Sequence, residues 1–385
     1  MIQRGFLVIA DITGYTAFLS GSELEHAQDS LRSLIELLIK QTTPPLQISR
    51  LEGDAVISYA PEGSFLQGQT LLESLEGTYI AFRLAQQRMQ LNTTCTCLAC
   101  KNIPNLDLKF FVHYGEYMEQ KLGPYTELIG NDVNLVHRLL KNQVTEKTRI
   151  KAYALFTQAA IDALSIPELE NSLTSYSEAD EYMGEVKLYV QNLQEVWERQ
   201  RDQEETLVPL DEALFTIEED FPLNPALLWD YLTKPEYRAI LNQSDYMGLE
   251  NTIEGRTTTG SVYICAHGDA SVQQAIVDWR PFQYYTYESE GVVPGTCNLV
   301  TIYLQPFEGG TRILGACGKS IGPESVSEQN DDFILQNVPA AAQDGCRKLY
   351  ERVRVDLELG IIVQPHAIAV SSEEVEAAVE LSLNQ

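Results

Sequence analysis

Two carboxylates in strand-and-turn settings are the first residues that could do chemistry. Asp11 closes an apolar run, Gly5-Phe-Leu-Val-Ile-Ala10, and Asp54 follows Glu52-Gly53 between two short apolar segments, Leu46 to Leu51 and Ala55 to Tyr59. The run reads as a buried strand. The pair of segments reads as a hairpin whose turn is a looser form of the Asn-Gly and Asp-Gly signals. If the hairpin lies beside the first strand, both carboxylates reach one point. Paired carboxylates with a backbone carbonyl suit Mg²⁺, a hard cation that also takes substrate phosphate oxygens. Spacing alone does not separate that pair from ordinary turn aspartates. A second cluster is Cys95-Thr-Cys97-Leu-Ala-Cys100. Three thiols so close together are hard to place in a core, and thiolates favour Zn²⁺ or an iron–sulfur cluster. A structural zinc is expected, with His113 as a candidate fourth ligand and three reduced loop cysteines as the alternative. His26 reads as an exposed helix residue and His267 as a structural histidine.

The elements that must position these groups follow from periodicity. Residues 23–41 read as a helix, with Leu31, Leu34, Ile35 and Leu38 at helical spacing, broken by Pro44-Pro45. Leu71 to Leu91 reads as a second helix, Leu106 to Tyr114 as a strand, Val133 to Lys141 as a third helix, and residues 184–190 as a half-buried strand. This order predicts an α+β domain over residues 1–192, one sheet with helices on a face. Residues 193–212 read as a charged linker, part helical. From Leu214 a strand, a helix capped by Asn224-Pro225, several alternating segments and a long helix from Asp331 to Leu359 make a second domain over 213–362. Residues 363–385 are an acidic tail whose Ser371 and Glu374 form a capping box for a short helix.

Composition excludes several classes. With 27 Lys plus Arg against 55 Asp plus Glu, the formal charge is −28. Such a polyanion repels phosphate backbones and anionic lipid, so neither nucleic acid nor a membrane surface is an expected partner. No apolar run approaches the ~18 residues of a membrane span, and none reads as a signal peptide. Seven cysteines are an odd number in a chain without an export signal, which points to reduced thiols and a cytoplasmic setting. The stretch Gly315-Ala-Cys-Gly318-Lys-Ser320 is not a phosphate loop, because that spacing needs glycine where Ile313 stands.

Four segments in order carry a family resemblance. Phe6-Leu-Val-Ile-Ala-Asp11-Ile-Thr-Gly-Tyr-Thr16 resembles the opening motif of the class III nucleotidyl cyclases, and Arg50-Leu-Glu-Gly-Asp54 their second motif. Phe111-Val-His-Tyr-Gly115 resembles their Ile-His-Thr-Gly strand, and Glu127-Leu-Ile-Gly-Asn-Asp-Val-Asn134-Leu-Val-His-Arg138 their Asp-x-x-Gly-x-x-Val-Asn-x-x-x-Arg motif. The resemblance implies a ferredoxin-like cyclase homology domain that dimerises head to tail and builds its sites at the interface. It implies Mg²⁺ or Mn²⁺ on Asp11, Asp54 and the carbonyl of Ile12, and a nucleoside triphosphate whose 3′-hydroxyl displaces pyrophosphate from the α-phosphorus. By position, Asn134 would orient the ribose and Arg138 would stabilise transition-state charge, the two catalytic residues. Arg50 and Glu127 would read the base, in place of the family's Lys and Asp. Met183 stands where a triphosphate-contacting Lys is usual. These departures leave three states open: an active cyclase with unusual base choice, a nucleotide-binding but slow or inactive protein, and a degenerate scaffold. Arg50 and Glu127 either frame a different base or pair with each other and close the pocket.

The second domain resembles the START-like, polyketide-cyclase-like (SRPBCC) superfamily. The likeness rests on its element order and on Phe221-Pro-Leu-Asn-Pro-Ala-Leu-Leu-Trp-Asp-Tyr-Leu. It implies a helix-grip fold, a curved sheet around a long helix, with room for a small hydrophobic ligand. The dense aromatics there, Trp229 and Tyr285 among them, are expected to fill the core.

Overall fold

The computed structural model describes residues 1–20, 24–92, 97–122, 125–180 and 184–363. Cys95, Met183, Ser371 and Glu374 lie outside the described residues. Two compact units are present: Met1–Ser64 with Leu71–Gln203, and Phe65–Thr70 with Glu204–Gln364.

In the first unit the order is β1 (Ile2–Thr13), α1 (Tyr15–Ser20), α2 (Leu24–Thr42), β2 (Gln47–Glu52), β3 (Ala55–Pro61), α3 (Gly68–Asn92), α4 (Leu98–Asn102), β4 (Asp107–Leu122), β5 (Tyr125–Ile129) and α5 (Asn131–Arg138). Then come α6 (Val144–Thr148), β6 (Tyr153–Thr157), α7 (Gln158–Leu164), α8 (Leu169–Ser172), β7 (Thr174–Asp180), β8 (Gly184–Asn192) and α9 (Leu193–Asp202). The sheet runs β2-β3-β1-β4-β6-β8-β7, with β5 pairing β4. The β1-α2-β2-β3-α3-β4 segment with strand order β2-β3-β1-β4 is the ferredoxin-like arrangement. β1 is buried on both faces from Gly5 to Ala10, which is why it reads as an unbroken apolar run rather than an alternation. Gly5 permits the close approach of β3, since a Cβ there would meet the Ala60 carbonyl oxygen at 2.2 Å. The α2 stripe of Ala27, Leu31, Leu34, Ile35 and Leu38 is fully buried, as its spacing requires.

Three expectations change. The strand expected to end at Tyr114 continues to Leu122 and returns as β5. That arm carries Glu116, Glu119, Gln120 and Glu127, so it shows no apolar run to read. β6 and β7 also escaped the sequence pattern. Leu193–Asp202 is a helix, α9, with Leu193, Val196 and Trp197 buried, too few apolar residues to register among its charges.

The second unit contains β9 (Phe215–Phe221), α10 (Pro225–Thr233), α11 (Pro235–Asn242), β10 (Tyr246–Glu250), β11 (Val262–His267), β12 (Ala270–Arg280), β13 (Tyr284–Glu290), β14 (Cys297–Phe307), β15 (Gly310–Cys317) and α12 (Glu324–Glu358). Its seven strands form one antiparallel sheet, β10-β11-β12-β13-β14-β15-β9. Asn224 caps α10 by accepting from the Leu227 N–H at 3.0 Å, with Pro225 in the first turn. Trp229 is fully buried and packs edge-on against Trp279, Phe282 and Tyr285, so these aromatics do build the core. The segment Phe65–Thr70 belongs to this unit through buried Asp230, which accepts from the Leu66 N–H at 2.6 Å and from the Thr70 hydroxyl.

α11 and α12 approach so closely at Gly345 that a Cβ there would sit 2.0 Å from the Leu241 carbonyl oxygen. Backbone cannot yield as a flexible side chain does, so Gly345→Ala should destabilise the protein by roughly 1–3 kcal/mol. Thermal unfolding measures this, and an unchanged midpoint would contradict the close packing.

Candidate functional site

The register of β1 decides the first half of the site. Asp11 pairs with Ala55 of β3 on one side and with Lys109 of β4 on the other. Gly53, at φ +61°, makes the turn between β2 and β3, a conformation that favours glycine. The turn delivers Asp54 beside β1, where the Ile12 N–H donates to the Asp54 carbonyl oxygen at 3.3 Å. The hairpin thus lies beside β1, which brings Asp54 alongside Asp11 and Ile12. Burial, then the charge of Asp11, pushes the Asp54 carboxyl up to about 7, against a downward pull from its own backbone N–H. Burial also raises Asp11, and Lys109 pulls it back. Lys109 is itself lowered by burial, opposed by Asp11, Glu146 and Asp107, and its ammonium lies 5.0 Å from the centre of the Tyr153 ring. Two mutually repelling oxygen donors in a half-buried position suit a hard divalent cation, which would remove the repulsion. Lys109 supplies only part of that counter-charge. Its place opposite Asp11 was not anticipated, because it follows from strand register rather than from any motif.

The second half is built on β2, β5 and α5. The Ser49 hydroxyl donates to the Thr126 carbonyl oxygen at 2.8 Å, tying β2 to β5. Arg50 then reaches Glu127, Nη1 to Oε1, at 3.4 Å, and Glu52, Nη2 to Oε1, at 2.5 Å. The other Glu52 oxygen lies 3.8 Å from His137 Nδ1. Burial lowers His137, with Glu52 opposing and Arg50 assisting. Glu52 and His137 are thus additions to the expected base-reading pair, visible only once the hairpin and α5 are placed. Asn134 and Arg138 stand one helical turn apart and are both exposed on α5.

What fixes α5 is Asp132, which accepts from the Glu116 N–H at 2.6 Å and lies 3.5 Å from His113 Nε2. Gly115 leaves room for it, since a Cβ there would meet Asp132 Oδ2 at 2.3 Å. His113 Nδ1 is 2.8 Å from the Thr157 hydroxyl. His113 is therefore committed to positioning β4, α5 and α7, and it is not the fourth ligand of a cysteine metal site. Among the described residues, His26, Cys97 and Cys100 have their ligand atoms within 4.8 Å of one another.

Comparison with known proteins gives a partial match. Residues 31–148 match the family model described as "Protein of unknown function (DUF2652)". The chain is 33% identical over 131 residues to the uncharacterised protein Rv2561/Rv2562 of Mycobacterium tuberculosis, a match covering 34% of this chain and 59% of that one. The chain thus spans about three-fifths of that relative's length. Among solved structures, the guanylyl cyclase Cya2 aligns with 49% of this chain and 92% of its own at 12% identity and a TM-score of 0.40. The adenylyl cyclase CyaB from P. aeruginosa aligns with 49% of this chain and 95% of its own at 16% identity and a TM-score of 0.37. Among the described residues, no helix is long and apolar enough to cross a membrane.

The Asp54 shift sets a pH dependence. The folded carboxyl titrates near 7 against an ordinary 3.8, so between those values the folded protein holds a proton that the unfolded chain has lost. Stability from this group is present at low pH and is lost as pH rises through about 7. Cation binding needs the carboxylate, so Mn²⁺ or Mg²⁺ should raise the thermal midpoint far more near pH 8 than near about pH 5. Asp54→Asn should raise the metal-free midpoint near pH 8 and abolish the Mn²⁺ response. A response that survives the substitution would remove Asp54 from the site.

Proposed function

We propose that the first unit is a divergent class III nucleotidyl-cyclase domain that converts a nucleoside triphosphate to a cyclic nucleotide and pyrophosphate across a homodimer interface. The observation that carries this reading is the half-buried Asp11–Asp54 pair with Asp54 pushed up to about 7. Its support is the exposed Asn134 and Arg138, one turn apart on a helix clamped to β4 by Asp132. In this reading Asp11, Asp54 and the Ile12 carbonyl hold Mg²⁺ or Mn²⁺, which when bound polarises the phosphate and acidifies the ribose 3′-hydroxyl. The 3′-oxygen loses its proton to solvent and forms a bond to the α-phosphorus, and the bond to pyrophosphate breaks. Asn134 orients the ribose, and Arg138 donates to the charge growing on the phosphate oxygens. By the family resemblance, a second copy of the chain would complete each site.

The second unit is proposed to be a START-like, helix-grip ligand domain. Its seven-stranded antiparallel sheet, its long helix α12 and a cavity of about 450 Å³ support this. A second reading of the chain is a catalytically degenerate dimerisation module carrying that ligand domain. The pairing of Arg50 with Glu127 and Glu52 favours it, because a base-reading guanidinium already held by two carboxylates closes the pocket.

Incubation with each of the four nucleoside triphosphates plus Mn²⁺ or Mg²⁺, with products identified by mass spectrometry, separates the readings. A cyclic product is expected, with a nucleotide other than ATP preferred, since both adenine-reading positions differ. Asp54→Ala should reduce turnover by at least about a hundredfold. Light scattering should show a dimer, and a 43.2 kDa particle would count against the interface site. No product from any nucleotide, with none formed after Arg50→Lys and Glu127→Asp together, would establish the degenerate reading.

A further inference from the structure

The cavity of the second unit is lined largely by aliphatic and aromatic residues, among them Ile217, Val272, Val300 and Ile302. Among its polar lining residues, Arg238 is the one buried cation. Arg238 of α11 is 1% exposed. Its Nη1 donates to the Tyr285 hydroxyl at 2.6 Å and the Leu232 carbonyl oxygen at 3.3 Å, and its Nη2 donates to Gln274 Oε1 at 2.7 Å. Its Nε–H is buried without an acceptor. The guanidinium lies 4.5 Å from the Tyr263 ring centre, 4.8 Å from that of Tyr287 and 5.2 Å from that of Tyr285. These rings and dipoles soften the charge, but among the described residues no carboxylate pairs with it. A buried cation without a counter-ion is costly, and a guanidinium cannot shed its proton to escape that cost.

We propose that Arg238 is the anchor for the carboxylate of an amphipathic monocarboxylic acid whose apolar body fills this cavity. The inference rests on the ligand-domain reading and deepens it. A planar two-oxygen anion matches the planar guanidinium, whose donors are not all used. A monoanion fits better than a phosphate dianion. Arg238 is the one Lys or Arg among the lining residues, the exposed His267 is the other basic group, and the exposed Glu290 adds negative charge. The volume lies within the ordinary range for small-ligand sites, roughly 300–1,000 Å³.

Calorimetric titration of the full chain with decanoate, decanol, decylamine and decyl phosphate tests this. Decanoate is expected to bind at least about tenfold more tightly than the other three. Arg238→Met, checked for folding by thermal melt, should lose about 10–100-fold for decanoate and nothing for decanol. Arg238→Lys, a second variant in case the first fails to fold, should keep the preference for the acid while weakening it. Equal binding of decanol and decanoate would overturn the role of Arg238 and leave the cavity reading standing. Tighter binding of decyl phosphate would overturn the carboxylate assignment. Binding of none of the four would overturn both.

A different observation carries a second proposal. His26 Nδ1 lies 3.4 Å from Cys97 Sγ, and the ligand atoms of His26, Cys97 and Cys100 all fall within 4.8 Å of one another. Tetrahedral zinc, with bonds of about 2.3 Å to sulfur and 2.0–2.1 Å to nitrogen, sets neighbouring ligands about 3.5–3.8 Å apart. Cys97 also caps α4, its sulfur accepting from the Cys100 N–H at 3.4 Å, which fixes the sulfur at the start of that helix. We infer that His26, Cys97 and Cys100 bind one structural Zn²⁺ that joins α2 to α4. The sequence cluster alone pointed to Cys95, Cys97 and Cys100, and His26 is the ligand it missed.

Protein purified without chelators should carry about one zinc per chain by elemental analysis. Cys97→Ser with Cys100→Ser, and separately His26→Ala, should each lose it. Cobalt substitution should give the intense thiolate charge-transfer and tetrahedral bands, which an all-oxygen site at Asp11 and Asp54 cannot produce. Metal-free protein with Cys97 and Cys100 joined in a disulfide would overturn the site. Full zinc retention in His26→Ala would remove His26 from it.

Discussion

The repulsion between Asp11 and Asp54 is the constraint around which the first unit is organised. Two carboxylates are brought together by the pairing of β1 with β3 and by a turn that requires Gly53, at a place where burial already disfavours charge. Water would screen this repulsion on an open surface, and here it is partly excluded. The fold holds the pair regardless, because β1 is buried on both faces and fixed by the strands on either side of it. The register of β1 is pinned where Gly5 meets β3, because a Cβ at that place would lie 2.2 Å from the Ala60 carbonyl oxygen. A core built for other reasons thus sustains an electrostatically unfavourable pair. Lys109, set opposite Asp11 by the same register, offsets part of the charge without neutralising it.

How much of this was legible follows from which residues carry local signals. The unbroken run from Gly5 to Ala10, the α2 stripe and the Asn224-Pro225 cap each state their structure within a few residues. The segments that failed to announce themselves are held by distant partners. β5 is a polar arm that exists because β4 extends to receive it. α9 buries Leu193, Val196 and Trp197, which five charged residues in the same ten-residue helix hide. Phe65–Thr70 belongs to the second unit through hydrogen bonds to Asp230 and through Gln69, which exchanges two hydrogen bonds with the Thr257 backbone. None of those partners lies near it in sequence.

The same distinction runs through the candidate sites. The strand end at Asp11 and the turn at Asp54 were readable locally, and their pairing as a metal set, with Ile12, came from the family resemblance. The relation of Arg50 to Glu127 was reduced to two outcomes by the sequence; the two make one contact of 3.4 Å, and Arg50 lies closer to Glu52, at 2.5 Å. His26 joins cysteines some seventy positions away, so no spacing rule reaches it. Arg238, within Glu236-Tyr-Arg-Ala-Ile240, looks like any charged residue on a short surface helix. Only the sheet that folds over it makes it a buried cation.

The second unit buries several charged side chains, and it treats Asp230 and Arg238 differently. Asp230 is fully buried, yet burial raises it to about 7, with the Thr70 hydroxyl, the Leu66 N–H and Gln67 pulling the other way. It has donors for its oxygens when ionised and can take a proton when they do not suffice. Arg238 has no such release, because a guanidinium stays charged throughout the range in which proteins fold. Its position must therefore be stabilised by what surrounds it, and the fold supplies three tyrosine rings, two oxygen acceptors on Nη1 and one on Nη2. A purely structural rivet would be expected to end with its donors used. This one lines the cavity with its Nε–H unpaired. The asymmetry between a self-sufficient Asp230 and an incompletely satisfied Arg238 is what distinguishes a buried charge that serves the fold from one that awaits a partner.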